Sequence, residues 1–422
     1  MSKQTKQGSA VPAIVVMFLL FFMIAFVTNF AGSMGVILTN QFGASKALSQ
    51  LGTLANFIAY AVMGIPAGII LKRKGYKFTA MAAVLVGLLG VGIQFIAGPA
   101  QSFLIYVIGA FVAGFSMCML NVVVNPMLNT LGGGGNKGNQ LVQFGGSLNS
   151  IGGTIAPILL GYLIGGEMAT AKVSDAAPAM IIAMAIFALA AVIIFFTNVP
   201  EPHMETEEEK AARLAGNVAK DTHSPLSFRH FILGAIAIFF YVGIEVGIPN
   251  TANIYFSGVE WVGPALTGVM IGAYWFCMML GRLGGGAIAG KVSSKTMLTV
   301  TAVTAIVFLA IFMFTADVKV TLFGTSLPLG LIFITACGLC TSVMWGAIFN
   351  LAVEGLGKYT TSASGFFMAM VCGGGIVPFV QNLIADKVGS VQSYWVLIAC
   401  LAFLVFYAVA GYKNVNKDIK VD

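Results

Sequence analysis

Twelve apolar runs of about 20 residues or more constrain this chain more than any other feature, because a run of that length matches the hydrocarbon thickness of a bilayer. They cover 11–38, 47–71, 77–98, 101–131, 139–166, 177–198, 228–258, 263–290, 296–316, 324–355, 360–386 and 391–412. Only 199–227 interrupts the series with a long polar stretch, and it divides the runs six and six. The plan is therefore an all-α membrane protein: a six-helix bundle at 1–198, a linker at 199–227 and a second six-helix bundle at 228–422. With 58% hydrophobic and 9% charged residues and a mean hydropathy of +0.94, a water-soluble domain is excluded. The 51 glycines suit helices that approach closely in lipid, where small residues form the interfaces.

The formal net charge of +7 does not mark a nucleic-acid surface. With the N-terminus inside, seventeen Lys and Arg fall on the inner side, and Lys46, Lys172, Lys319 and Lys387 on the outer. That bias sets topology and predicts cytoplasmic termini and a cytoplasmic linker. The first run is too long for the apolar core of a signal peptide and lacks a clear cleavage site, so it reads as a membrane helix. All six cysteines lie in apolar runs, and Cys337 and Cys340, one helical turn apart with no His nearby, read as small apolar residues. In the linker, EPHMETEEEKAARLAGN places acids before bases, which favours a short helix acting as a solvated spacer.

The halves repeat weakly. Gly153, Ile155 and Pro157 recur as Gly374, Ile376 and Pro378, and the basic turn Leu71–Lys77 is echoed at Gly290–Lys295. Such repeats are typical of transporters, with the binding site between the halves near mid-membrane. The sixth and twelfth runs carry almost no hydrogen-bonding side chains in mid-span, and the third and ninth are nearly as plain. Every third helix is thus expected to face lipid while the others surround a polar path.

That path is written in amides, aromatics and one acid. Asn121 and Asn125 share a helix face in LNVVVNPMLNTLG, extended by Asn129. Asn29, Asn56, Tyr60, Gln143, Asn149, Tyr241, Asn250, Asn253, Tyr274, Trp275, Trp345, Asn350, Gln381 and Asn382 add donors, acceptors and ring faces. Amides match an uncharged polyhydroxylated ligand, and aromatic faces match the C–H side of a sugar ring. Interhelical bonding, worth about 1 kcal/mol for each amide, is the competing role. Glu245, in FYVGIEVGIPN, is an acid at membrane depth and so a functional candidate, with a structural ion pair as the alternative. Pro249 cannot donate to the Glu245 carbonyl, so backbone and side-chain oxygens of one residue are expected to converge. Arg282, in GRLGGG, reads as a gate or helix-end contact, and Lys72 and Arg73 as gating residues at the end of the second helix.

No enzyme is predicted. All three histidines lie in or beside the linker, and GGGG at 132–135 lacks the Lys-Ser/Thr continuation of a phosphate-binding loop. No cofactor or resident metal is expected, and ATP-driven transport has no support in the chain.

Several segments together resemble a known family: IPAGIILKRKGY (65–76), NPMLNTLG (125–132), SLNSIGGTIAP (147–157), FYVGIEVG (240–247), GRLGG (281–285), IFNLAVEGLG (348–357) and GGGIVP (373–378). Spread over nearly the whole chain and in the family's order, they resemble the major facilitator superfamily, and within it the fucose/glucose/galactose–proton symporter family. The resemblance implies two bundles rocking about a central sugar (glucose, galactose or L-fucose class) in a bacterial inner membrane, working as a monomer. There are two departures. AGSMG (31–35) holds no acid where the fucose permease branch has one, and Asn121 stands where that branch has a glutamate. Cation coupling therefore falls to Glu245, with H+, Na+ and no coupling at all left as the three alternatives. A sugar receptor on a transporter fold and a drug exporter are the other classes; the absence of a large soluble domain disfavours the first, and the amide-rich path the second.

Overall fold

The computed structural model describes residues 10–132, 135–164, 171–202, 204, 206–214, 223–288, 292–322, 324–416, 418–419 and 421. The side chains of Gln143, Asn129, Lys137 and Lys358 lie outside this description, as do Lys3, Lys6, Lys220, Lys291, Lys417 and Lys420 from the topology count. The helices are α1 (Ala10–Phe42), α2 (Lys46–Ser49), α3 (Leu51–Lys74), α4 (Tyr76–Ala100), α5 (Phe103–Leu131), α6 (Gly135–Leu163) and α7 (Ala177–Phe196). The linker carries α8 (Glu207–Leu214), where its acid-before-base order predicts a helix. Then follow α9 (Arg229–Ser257), α10 (Gly263–Ile288), α11 (Ser294–Thr315), strands β1 (Lys319–Leu322) and β2 (Thr325–Pro328), α12 (Leu329–Thr341), α13 (Met344–Val353), α14 (Thr360–Ala369), α15 (Gly373–Val388) and α16 (Tyr394–Phe406).

Among the described residues, eleven segments are long and apolar enough to cross a membrane. The remaining expected span, α6, is long enough at 29 residues, but glycine and amides dilute its hydropathy because it packs between α1 and α10. Local chemistry sets the ends. Ser102 and Ser293 accept from Ile105 N and Thr296 N at the starts of α5 and α11. Gly75 (φ 87°) and Gly389 (φ 98°) end α3 and α15 in conformations that favour glycine.

The second, tenth and eleventh runs differ from single continuous helices. The second is divided at Gln50 into α2 and α3. The tenth begins only at Leu329, because 319–328 forms an antiparallel hairpin pairing Lys319 with Pro328, and it breaks between Thr341 and Met344. The eleventh is interrupted by a 3-10 turn at Met370–Cys372, where glycine lets the chain pass close to the Phe239 carbonyl. Gly338 has the same purpose in α12: a Cβ there would strike the Tyr274 carbonyl of α10. Gly338→Ala is expected to cost about 1–3 kcal/mol by forcing the two helices apart, read as a lower unfolding temperature of the detergent-purified protein.

The plain helices lie outside. α4, α7, α11 and α16 contact neighbours in their own half and present large apolar side chains outward, such as Phe196 at 79% and Phe314 at 87% exposure. The halves meet instead through α6 against α10, α3 against α14 and α15, and α1 against α9. The weak repeat marks that seam symmetrically, since Gly153 of α6 abuts Trp275 of α10 and Gly374 of α15 abuts Phe57 of α3. The starts of α1 and α9 and the ends of α7 and α16 share one end of the bundle, where Arg229 N donates to Asn416 Oδ1 at 3.0 Å. At this terminal end the Glu201 carboxylate accepts from Tyr76 N and Lys77 N, and Lys77 Nζ donates to the Phe195 carbonyl.

Candidate functional site

Glu245 lies 16 residues into α9 and 12 from its last residue, about 24 and 18 Å along a helix rising 1.5 Å per residue. It is therefore at mid-depth. The ion-pair alternative is met: Arg282 Nη2 lies 3.3 Å from Glu245 Oε1, both side chains being 12% exposed. Arg282 Nη1 donates to the Gly146 carbonyl at 2.6 Å and to Ser150 Oγ at 3.1 Å, both on α6. One guanidinium therefore joins the carboxylate of its own half to the backbone of the other. Gly281 and Gly285 explain its direction, because they press one face of α10 against Ser342 and Val343 and leave Arg282 on another face.

The carbonyl freed by Pro249 has a partner too. Tyr274 Oη donates to the Glu245 carbonyl at 3.1 Å, with Thr341 Oγ1 also 3.1 Å from the same hydroxyl. This cap lets α9 run through the proline without a break. Tyr241, one turn before Glu245 on α9, donates to the Thr341 carbonyl at 3.1 Å. Trp345 stands edge-on to Tyr241, with ring centroids 6.2 Å apart, and to Phe367 at 5.9 Å.

A second group lies on the seam itself. The point where a Gly153 Cβ would lie is 3.0 Å from the Trp275 ring and 3.1 Å from Asn29 Nδ2, so three helices converge there. The Trp275 ring nitrogen is buried without a partner. Asn121 Nδ2 donates to Tyr60 Oη at 3.0 Å, and Asn125 Nδ2 to the Asn121 carbonyl at 2.9 Å. Asn29, Asn121 and Asn125 are half-buried, although much of the core around them is fully buried.

Other amides join helices. Asn149 donates to the Phe21 carbonyl of α1, Asn56 to the Ala110 carbonyl of α5, and Asn382 to Thr251 of α9. Asn250 Nδ2 donates to Gln50 Oε1 of the other half at 3.2 Å, and Asn253 Oδ1 accepts from Ser257 at 3.5 Å. Gln381 is fully buried against Gly247, with both ends of its amide unpaired. Asn350 belongs elsewhere: it is exposed and lines a cavity of about 370 Å³ with Ser293, Lys295, Glu354 and Tyr412. Lys72 and Arg73 are exposed in the last turn of α3, favourably placed against its dipole.

The sequence reading missed Ser150, Thr341 and Gln50 as partners. Arg282 reads in the sequence as a gate or helix-end contact, and its pairing with Glu245 emerges only in the structure.

Two pseudo-symmetric six-helix bundles, joined along a polar seam with an ion pair at mid-depth, define a multi-pass membrane transporter and not an enzyme. The chain belongs to the Major Facilitator Superfamily, whose model matches residues 16–378. It is 30% identical over 420 residues to a glucose/galactose transporter of Brucella abortus, covering 98% of this chain and 96% of that one. The L-fucose-proton symporter of Escherichia coli K12 is 24% identical over 430 residues, covering 95% and 93%. The crystal structure of the transporter FucP in its outward conformation superposes with a TM-score of 0.66 at 22% identity, covering 95% of this chain and 98% of that one.

Proposed function

We propose that this protein imports a neutral hexose or deoxyhexose of the glucose, galactose or L-fucose class, by alternating access coupled to a proton at Glu245. The observation that carries the coupling is the double engagement of Arg282, with Glu245 in one half and with Gly146 and Ser150 in the other. When Glu245 takes a proton on its carboxylate, the guanidinium loses its counter-charge and keeps only neutral acceptors across the seam. Sugar binding and bundle movement then respond to the same side chain. The termini face the cytoplasm of a bacterial inner membrane, and one chain is the working unit.

A proton suits this site better than Na+. A sodium ion beside Glu245 would meet the Arg282 guanidinium, and the Glu245 carbonyl that would help to hold it already accepts from Tyr274. Asn29, Asn121 and Asn125 supply amides for sugar hydroxyls on one side of the seam, and Trp275 of α10 supplies a ring face for C–H groups from the other. Tyr241 and Trp345 stand on the same side as Trp275. The relatives, a glucose/galactose transporter and an L-fucose-proton symporter, support the sugar class.

The test is uptake of labelled glucose, galactose and L-fucose by proteoliposomes under separately imposed pH and Na+ gradients. Accumulation above equilibrium driven by an inward proton gradient, unchanged by Na+, is the expected result. Accumulation driven by Na+ instead would overturn the proton assignment. Equilibration indifferent to both gradients would make the protein an uncoupled facilitator, and sugar binding without movement would make it a receptor.

A further inference from the structure

At the end of the bundle opposite the termini, the two halves are fastened by a small set of contacts. Asp386, near the end of α15, accepts from Lys46 N at 2.8 Å and from Ala47 N at 3.1 Å, so one carboxylate takes two backbone N–H groups of the other half. Ser45 Oγ takes the next amide, that of Leu48. Deeper in, Asn250 Nδ2 donates to Gln50 Oε1 at 3.2 Å, and both residues are buried. Below these, Gly375 lies against Leu54 of α3, and Gly35 lies within van der Waals reach of Ile254 of α9. Asp386 is the charged member of this set. An ionised acceptor of two amides holds more strongly than a neutral one.

We propose that Asp386 is the latch residue of this far entrance: its carboxylate holds the 45–50 turn against α15, closing that end, and its release opens the far side of the seam. The inference rests on the alternating-access reading above, but its test needs no sugar. The latch can therefore stand or fall apart from the substrate. Asn250 of α9 and Gln50 form a second, buried contact between the halves, one level deeper than the carboxylate.

The experiment places spin labels at Leu48→Cys and Val388→Cys, one on each half, in the full chain with its native cysteines replaced by serine. Both positions are exposed. Distance distributions are recorded in lipid nanodiscs by electron double resonance. The parent chain is expected to give mostly one short distance. Asp386→Ala is expected to raise the ratio of long to short distances about fivefold, the size expected when a carboxylate capping backbone amides is removed. Asp386→Asn, nearly the same shape, is expected to shift it in the same direction by less, and it guards against a misfolded alanine variant. Distributions identical to the parent in both variants would overturn the proposal. An equal shift in a Lys387→Ala control would overturn it too, since the effect would then belong to the loop and not to the carboxylate.

Discussion

Glu245→Gln is expected to abolish accumulation of sugar against its gradient while sparing sugar exchange across the membrane. Glutamine keeps the size of the side chain and an acceptor for Arg282 Nη2, so the seam around Gly146 and Ser150 is preserved. It can neither gain nor lose a proton at working pH, so the two halves move with one fixed charge state. Proteoliposome counterflow measures exchange, and uptake under an imposed pH gradient measures coupling. Exchange is expected to remain within about threefold of the parent, since one neutral hydrogen bond replaces one charged pair. Wild-type accumulation in this variant would remove Glu245 from the coupling step.

The second large effect is one of stability. Arg282→Met removes the counter-charge of a carboxylate that is 12% exposed, and removes the bonds to Gly146 and Ser150 as well. Taking one partner from a buried ion pair costs about 3–5 kcal/mol, because the remaining charge stays desolvated without compensation. The low end is expected here, given the residual exposure. Adding Glu245→Gln to Arg282→Met is expected to recover most of that loss, since the double variant leaves no unpaired charge. Unfolding midpoints of the parent, the two single variants and the double variant form a complete cycle. Additive losses would show that the pair is not coupled in the folded protein.

Much of the architecture was readable because a bilayer leaves few choices. Runs of apolar residues gave the spans, and the bareness of α7 and α16 gave their outward position. Glu245 was legible as a candidate because it is an acid in an apolar helix. Its pairing was not legible, since Arg282 lies near the end of α10, about two turns below the level of Tyr274, which caps the Glu245 carbonyl. Cα–Cβ bonds lean toward a helix's N-terminus, and α9 and α10 run in opposite directions. The two long side chains therefore lean toward each other and close that gap, which residue spacing alone does not reveal. The amides were legible as a set but not one by one. Asn121 and Asn149 look alike in sequence, yet one pairs with Tyr60 beside the seam and the other bonds α6 to α1. Asn350 shows the same limit: its position in the chain suggested the path, and the break at Ser342–Val343 leads α13 to a different cavity. The partners Gln50 and Asp386 carried no local signal, because each acquires its meaning only from the opposite half.

The ion pair also says how the transporter would feel voltage. Both charges, Glu245 and Arg282, belong to the same half, and the other half answers with the neutral Gly146 carbonyl and Ser150 hydroxyl. The unloaded seam is then electrically neutral at mid-depth. Once Glu245 is protonated and a neutral sugar is bound, Arg282 leaves one net positive charge there. A membrane potential acts on such a charge with about 2.3 kcal/mol per 100 mV for a full crossing. On the proposed cycle, a potential negative inside would therefore favour the inward movement of the loaded carrier and exert little force on the return of the empty one.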